Sequence, residues 1–229
     1  MILCIETSGK NCSVAIHDEG NLVASASHYD ENYSHAEKLH PLIEECLLKA
    51  SITKEELKAV AVSKGPGSYT GLRIGVASAK GICYALGIPM IAIETPRILA
   101  AIGASTYPEG EVFVTLTDAR RMEVYTASYN SEGAVLSPTE AKVIDESSFS
   151  DLHDVYTVFT GDGVEKCAEI LARDGWTFDG ILPNAEAMVA LSQEAFKKQQ
   201  FEDVAYFEPF YLKDFIAGKP KDLLKRLRK

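Results

Sequence analysis

The order of apolar runs along this chain occurs twice. Strand-like runs at 1–5, 12–17 and 21–27 are followed by a helical pattern from Ser34, a strand at 59–63 and a helix at 71–87. The same order returns as strands at 112–117, 123–129 and 134–143, a short helix near 146–151, a strand at 155–159 and a helix at 164–173. Asp18-Glu19-Gly20 and Ser131-Glu132-Gly133 supply turn chemistry at matching places in the two copies. A further strand at 90–93 and a helix from 95 join the copies. A chain that reads strand, strand, strand, helix, strand, helix twice is best explained as two similar α/β units. The expected fold class is α/β with two βββαβα domains, at 1–105 and 106–229. The second is reduced, because its first helix is short.

Local signals refine the elements. Ser34-x-x-Glu37 and Thr53-x-x-Glu56 are capping-box patterns. Leu39, Ile43, Leu47 and Ala50 recur at helical spacing, and Pro41 among them predicts a kink or a loose first turn. After 173 the pattern loosens. Asn184 caps a helix carrying Met188, Leu191 and Phe196, residues 206–212 are aromatic, and 220–229 reads as a basic terminal helix that could pack back on the first domain.

Composition excludes several classes. No apolar run approaches the ~18 residues of a membrane span. The N-terminus lacks a basic region and apolar core, so a mature cytoplasmic protein is expected. Cys4, Cys12, Cys46, Cys83 and Cys167 show no C-x-x-C spacing, and most lie in strand or helix patterns. Buried reduced thiols are therefore expected, and a structural zinc site is not. The net charge of −10 argues against a large nucleic-acid footprint. The charge is uneven: 219–229 holds six basic residues and Asp222, a net of +5, leaving −15 on the other 218 residues. Such a tail can recruit RNA or an acidic partner, or be a solvated helix end.

Gly65-Pro66-Gly67-Ser68-Tyr69-Thr70-Gly71-Leu72-Arg73-Ile74-Gly75 links the strand at 59–63 to the long helix. Glycine permits turn conformations closed to other residues, and Ser68 and Thr70 are N-cap types. A tight loop before a helix N-terminus is a plausible anion site; a turn and a cap explain the same residues.

This string, with Ile5-Glu6-Thr7-Ser8, His35-Ala36-Glu37-Lys38-Leu39, Asp118-Ala119-Arg120-Arg121-Met122-Glu123-Val124-Tyr125, Gly161-Asp162-Gly163 and Pro209-Phe210-Tyr211-Leu212, resembles the TsaB (YeaZ) family across nearly the whole chain. The resemblance implies a duplicated actin-like, ribonuclease-H-like (ASKHA) fold. It implies a non-catalytic subunit that stabilises TsaD in the complex transferring threonylcarbamoyl from its adenylate to the adenosine beside the tRNA anticodon, with the ATPase TsaE as a further partner. Pairing with TsaD, or with a second copy in isolation, is expected through the first two helices. tRNA contact is expected to be at most indirect, and no membrane is involved. No cofactor is expected in the isolated chain; ATP or ADP would sit at the interface of the assembled complex. The alternative is a free-standing ATPase or small-molecule kinase of the same fold.

Enzymes of that fold place an acidic residue after the first strand and a Gly-rich hairpin in the second domain against the nucleotide. The corresponding nucleotide-facing positions are Glu6 and Ser8, Gly65, Gly67 and Ser68, Asp118 and Arg120, and Gly161 and Gly163. No glycine follows Asp118, which hinders close backbone approach to a phosphate. Gly161-Asp162-Gly163 also suffices as a strand-to-helix turn. His35 and His40 are similar to a metal-binding pair of TsaD, but at i,i+5 they point about 140° apart on a helix. No metal site is expected, nor a Ser/His/Asp or Cys/His set.

Helix 71–87 carries only Arg73 and Lys80 as charges, among Leu72, Ile74, Val76, Ala77, Ile82, Tyr84 and Leu86. A helix apolar nearly all round must be covered on more than one side. Gly71, Gly75 and Ala79 form a small-residue stripe, read either as burial within the domain or as a helix contact. With the resemblance, the expected partner interface is His35, Leu39, Ile43, Gly71, Leu72, Arg73, Gly75, Val76, Ala79 and Ile82, closing a four-helix bundle with Gly75 near the closest approach.

Overall fold

The computed structural model describes residues 1–31 and 34–212; the expected basic terminal helix lies outside them. Strands β1 (Ile2–Glu6), β2 (Asn11–Asp18), β3 (Asn21–Tyr29), β4 (Ala59–Gly65) and β5 (Met90–Glu94) form one sheet in the order β3-β2-β1-β4-β5. Strands β6 (Val112–Asp118), β7 (Glu123–Asn130), β8 (Val135–Val143), β9 (Thr157–Thr160) and β10 (Trp176–Asp179) form the other, ordered β10-β9-β6-β7-β8. In both sheets the first three strands are an antiparallel meander and the last two add in parallel beside the first. Identical order and direction in two sheets make this the duplicated actin-like α/β fold.

β10 is absent from the sequence reading. Its four residues, Trp176-Thr177-Phe178-Asp179, are too few to show a period, and its extended state comes from parallel pairing with β9, Trp176 opposite Thr157. The short helix expected near 146–151 is a single 3-10 turn at Ser150–Leu152, so the second unit is reduced where expected.

Helices α1 (His35–Ala50) and α2 (Tyr69–Leu86) cover one face of the first sheet. Leu3 and Ile5 point to them, while Ile2 and Cys4 point to the opposite face, under α3 (Thr95–Thr106) and α5 (Met188–Lys197). Cover on both faces is why β1 and β4 are apolar runs rather than alternating strands. α3 lies between the sheets: Ile98 packs with Ile91 and Ile93, and Ala100 with Phe113, Ala127 and Tyr129. α4 (Val164–Leu171) covers the other face of the second sheet. All five cysteines are buried free thiols. Beneath α5, His17 Nε2 meets Ser192 Oγ at 2.8 Å, and the Cys4 thiol meets the same oxygen at 3.4 Å.

One local expectation is corrected, at the start of α1, which is continuous helix through Pro41. The missing N–H deprives only the Glu37 carbonyl, on a turn where both residues are exposed and water can serve instead. The Ser34–Glu37 capping box does not form: Ser34 takes φ −78°, ψ 24°, and caps through its carbonyl, which accepts from Glu37 and Lys38 N–H at 3.1 and 3.0 Å. At Thr53 the box logic does operate, on a 3-10 turn, where Glu56 Oε2 accepts from the Thr53 N–H at 2.8 Å.

The chain then returns along α2. Glu202 N–H donates to Met90 O at 2.9 Å, and Lys80 Nζ holds the carbonyls of Ala205 and Phe207, each at 3.1 Å. Phe210 N–H donates to Lys64 O at 2.7 Å, and the Tyr211 ring lies 5.1 Å from that of Tyr69. Among the described residues no helix is long and apolar enough to cross a membrane.

Candidate functional site

The Gly-rich string closes the β4–α2 loop onto the turn after β1. A Cβ on Gly67 would lie 2.4 Å from the Ser8 carbonyl oxygen, and one on Gly71 2.1 Å from that of Thr7. A Cβ on Gly75 would lie 2.2 Å from Thr7 Oγ1. Ser68 N–H donates to Ser8 O at 2.7 Å, and Ser68 Oγ caps α2 by accepting from Gly71 N–H at 3.3 Å. The carbonyl oxygens of Thr7 and Ser8 thus sit at the N-terminus of α2, in the place an anion would take. Gly67 and Gly71 serve close approach to the chain's own backbone, and Gly75 to the Thr7 side chain.

Glu6 is fully covered. Its Oε1 accepts from Ser8 N–H at 2.5 Å, and Oε2 has no hydrogen-bond partner among the described residues. Burial pushes its carboxyl up to about 7, and the hydrogen bonds from Ser8 pull it down without offsetting that. The Gly161-Asp162-Gly163 segment packs on β6: Gly163 N–H donates to Leu116 O at 2.8 Å, and a Cβ on Gly161 would meet that oxygen at 2.4 Å. Asp118 is paired with Lys166 and accepts from Arg120 N–H at 2.8 Å. Asp162 Oδ1 accepts from Asp118 N–H at 2.8 Å, and burial raises its carboxyl above the ordinary value. The hairpin after Asp118 makes its turn with Arg120 and Arg121 at φ 72° and 52°, a conformation glycine takes without a Cβ penalty.

The positions expected to face a nucleotide differ in their exposure. Glu6, Ser8, Gly65, Gly161 and Gly163 are buried, Gly67 and Ser68 are half-buried, and only Asp118 and Arg120 are exposed. Glu6 is fully covered, and Asp118 is paired with Lys166 at the surface. Among the described residues no three His, Cys, Asp or Glu side chains are grouped to hold a metal ion. His40 is exposed, whereas His35 is buried with Nε2 2.8 Å from Gly9 O.

Most residues of the expected partner face are covered within the chain itself. His35, Leu39, Ile43, Gly71, Leu72, Gly75, Val76 and Ala79 are buried inside the chain; Ile82 is half-buried. Arg73 is exposed, with its guanidinium 4.8 Å from the Tyr69 ring centroid and bonded to Tyr211. The small-residue stripe faces inward because the Thr7–Ser8 turn requires it. The outer face carries other residues. α1 and α2 both return from the C-terminal to the N-terminal edge of the sheet, so they run side by side in one direction, with Ser78 Oγ 3.4 Å from His40 Nε2. Ala77, Gly81 and Tyr84 on α2, and His40, Glu44 and Leu48 on α1, are exposed. Tyr84 is 86% and Leu48 79% exposed, and nothing lies within 4 Å of a Cβ on Gly81. Sequence could have flagged both large residues: the inward positions of α1 are 35, 39, 42, 43 and 46, and those of α2 are 71, 72, 75, 76, 79 and 83, rows that omit 48 and 84.

Known proteins share this arrangement. The profile of the family described as "TsaD: tRNA N6-adenosine threonylcarbamoyltransferase" matches residues 30–206, more than half of the chain. The chain is 29% identical over 233 residues to the tRNA threonylcarbamoyladenosine biosynthesis protein TsaB of Escherichia coli K12, covering 95% of this chain and 96% of that protein. With the Bacillus subtilis protein of the same name it shares 34% identity over 135 residues, 59% of this chain and 57% of that one. The solved structure of YeaZ from Pseudomonas aeruginosa superposes with a TM-score of 0.78 at 27% identity, covering 92% of this chain and 99% of that one. The chain belongs to the family of that profile and, within it, to the TsaB/YeaZ proteins.

Proposed function

We propose that this protein acts in the biosynthesis of threonylcarbamoyladenosine in tRNA, as a non-catalytic subunit that binds and stabilises the TsaD subunit through the outer face of α1 and α2. The observation that carries the reading is the pair of exposed side chains, Tyr84 and Leu48, beside the open Gly81. Large apolar groups left in water on two adjacent parallel helices are a surface suited to a second helix pair. The names of the TsaB relatives supply the process, and the covered Glu6 and lysine-paired Asp118 support a non-catalytic role. In this reading TsaE joins the assembled pair, nucleotide binds there rather than to the free chain, and tRNA is contacted mainly by TsaD.

The test is binding of TsaD to Tyr84→Glu and Leu48→Asp variants. Loss of a central tyrosine anchor costs about 2 kcal/mol, roughly a 30-fold loss in affinity. The melting temperature should stay near that of the parent, since neither side chain touches the core. Unchanged affinity in both variants would refute the interface.

A further inference from the structure

We propose that the second unit carries a binding site for a small zwitterion, with the charge pattern of a free α-amino acid, on the sheet face that its reduced helix leaves open. In the first unit α1 covers that face of β2 and β3, closing over Val14, Ile16, Ala24 and Ala26. The matching strands of the second unit are β7 and β8, where among the described residues the 3-10 turn Ser150–Leu152 takes the place of that helix. A cavity of about 200 Å³ lies between the strands and the turn. Its strand lining is polar where the first unit is apolar: Thr126 and Ser128 on β7, and Ser137, Glu140 and Lys142 on β8. Such a face is costly to bury under an apolar helix and suited to a polar ligand.

The charges in the lining have both signs. Glu140 and Asp151 are exposed and Lys142 is half-buried, and no ion pair among the described residues engages any of the three. Lys142 Nζ lies 4.5 Å from the ring centroid of Phe149, another lining residue. Glu140 and Lys142 stand opposite Thr126 and Val124, so both rise from one face of β8, about 7 Å apart along the strand. Covalent geometry sets the ammonium and carboxylate of an amino acid roughly 3 Å apart. With about 2.8 Å for each charge-assisted hydrogen bond, that molecule spans an acid and a lysine at this spacing. Its carboxylate is then met by Lys142 and its ammonium by Glu140 or Asp151. Two further observations mark the cavity. Thr126 is 3% exposed and its Oγ1 has no hydrogen-bond partner among the described residues, a deficit that water or a polar ligand makes good. Phe149 is held at φ 60°, ψ 26°, a conformation that is costly for a bulky residue and clusters at ligand clamps. The volume corresponds to about seven waters at about 30 Å³ each, which suits a ligand of roughly seven to ten non-hydrogen atoms. The site lies on the second sheet, whereas α1 and α2 cover the first, and it does not rest on the function proposed above.

Ligand-observed NMR of the full-length chain with each of the common L-amino acids tests the site. At least one should bind with a Kd at or below about 1 mM, within reach of a ligand this small. N-acetylation of that amino acid, or amidation of its carboxylate, should each weaken binding at least about tenfold, because each removes a charge. Lys142→Met, and Glu140→Gln combined with Asp151→Asn, should do the same. Lys54→Met, at an exposed lysine of the first unit, should leave binding unchanged. Ser137→Trp fills the cavity from an exposed position and should abolish binding without lowering the melting temperature. If Lys142→Met melts early, Ser137→Trp decides alone. No binding of any amino acid at about 10 mM, equal binding of the blocked derivatives, or binding that survives Ser137→Trp would overturn the site.

Discussion

Replacing Glu6 by glutamine should make the protein more stable than its parent as pH rises. The folded-state carboxyl sits at about 7, against an ordinary value of 4.5, because burial disfavours the charged form. A raised folded value means the native state holds the proton more tightly. The stabilisation is complete below 4.5, declines as pH rises, and is lost above 7. The shift is worth about 3 kcal/mol at 1.36 kcal/mol per unit. Glutamine keeps the acceptor for Ser8 N–H and does not titrate in this range; its amide takes the place of Oε2, which has no partner. Any cost of the amide is independent of pH and cancels when two pH values are compared. The stability difference between Glu6→Gln and parent should therefore shift by about 3 kcal/mol in favour of the variant between pH 4.5 and pH 8. For a chain of this size that corresponds to roughly 6–12 °C in melting temperature. Urea melts of both proteins at half-unit pH steps measure it. A difference that stays flat across that range would show that Glu6 titrates at its ordinary value, and the burial argument would fail.

His17 works in the opposite sense. Its ring is buried and its folded value is lowered to about 4, chiefly by desolvation, so its contribution is present above 6.5 and is lost as pH falls through 4. His17→Gln should flatten the acid limb of the stability profile between pH 6.5 and pH 4, and an unchanged acid limb would refute that assignment. Gly71→Ala should destabilise by about 1–3 kcal/mol, because the new methyl meets the Thr7 carbonyl oxygen of the backbone. Gly75→Ala should cost less, since it meets a Thr7 side chain that can turn. Thermal melting that ranks Gly75→Ala as the more damaging would contradict the packing.

Much of the architecture is written in short-range pattern. Two copies of strand, strand, strand, helix, strand, helix define a duplicated α/β chain, and a short first helix in the second copy marks where that copy is reduced. Alternation and helical spacing are properties of neighbouring residues, so they survive without knowledge of the fold. The glycine string also announced a tight loop at a helix start, and the structure places one there with Ser68 as the cap.

What those residues face was decided by tertiary contact. α2 is apolar nearly all round, so its periodicity cannot tell an inward row from an outward one. The Thr7–Ser8 turn makes that choice by requiring Gly71 and Gly75 beneath it, which leaves Ala77, Gly81 and Tyr84 outside. The sequence around Glu6 does not say whether it is open or covered; the elements around it cover it fully. β10 is extended only because β9 offers it a parallel edge. Arg120 and Arg121 take a glycine-like conformation because the hairpin register and the Asp118 carboxylate hold it. In each case the local residues permit more than one state, and the deciding free energy comes from groups distant in sequence: a carbonyl, a strand edge, a covering helix.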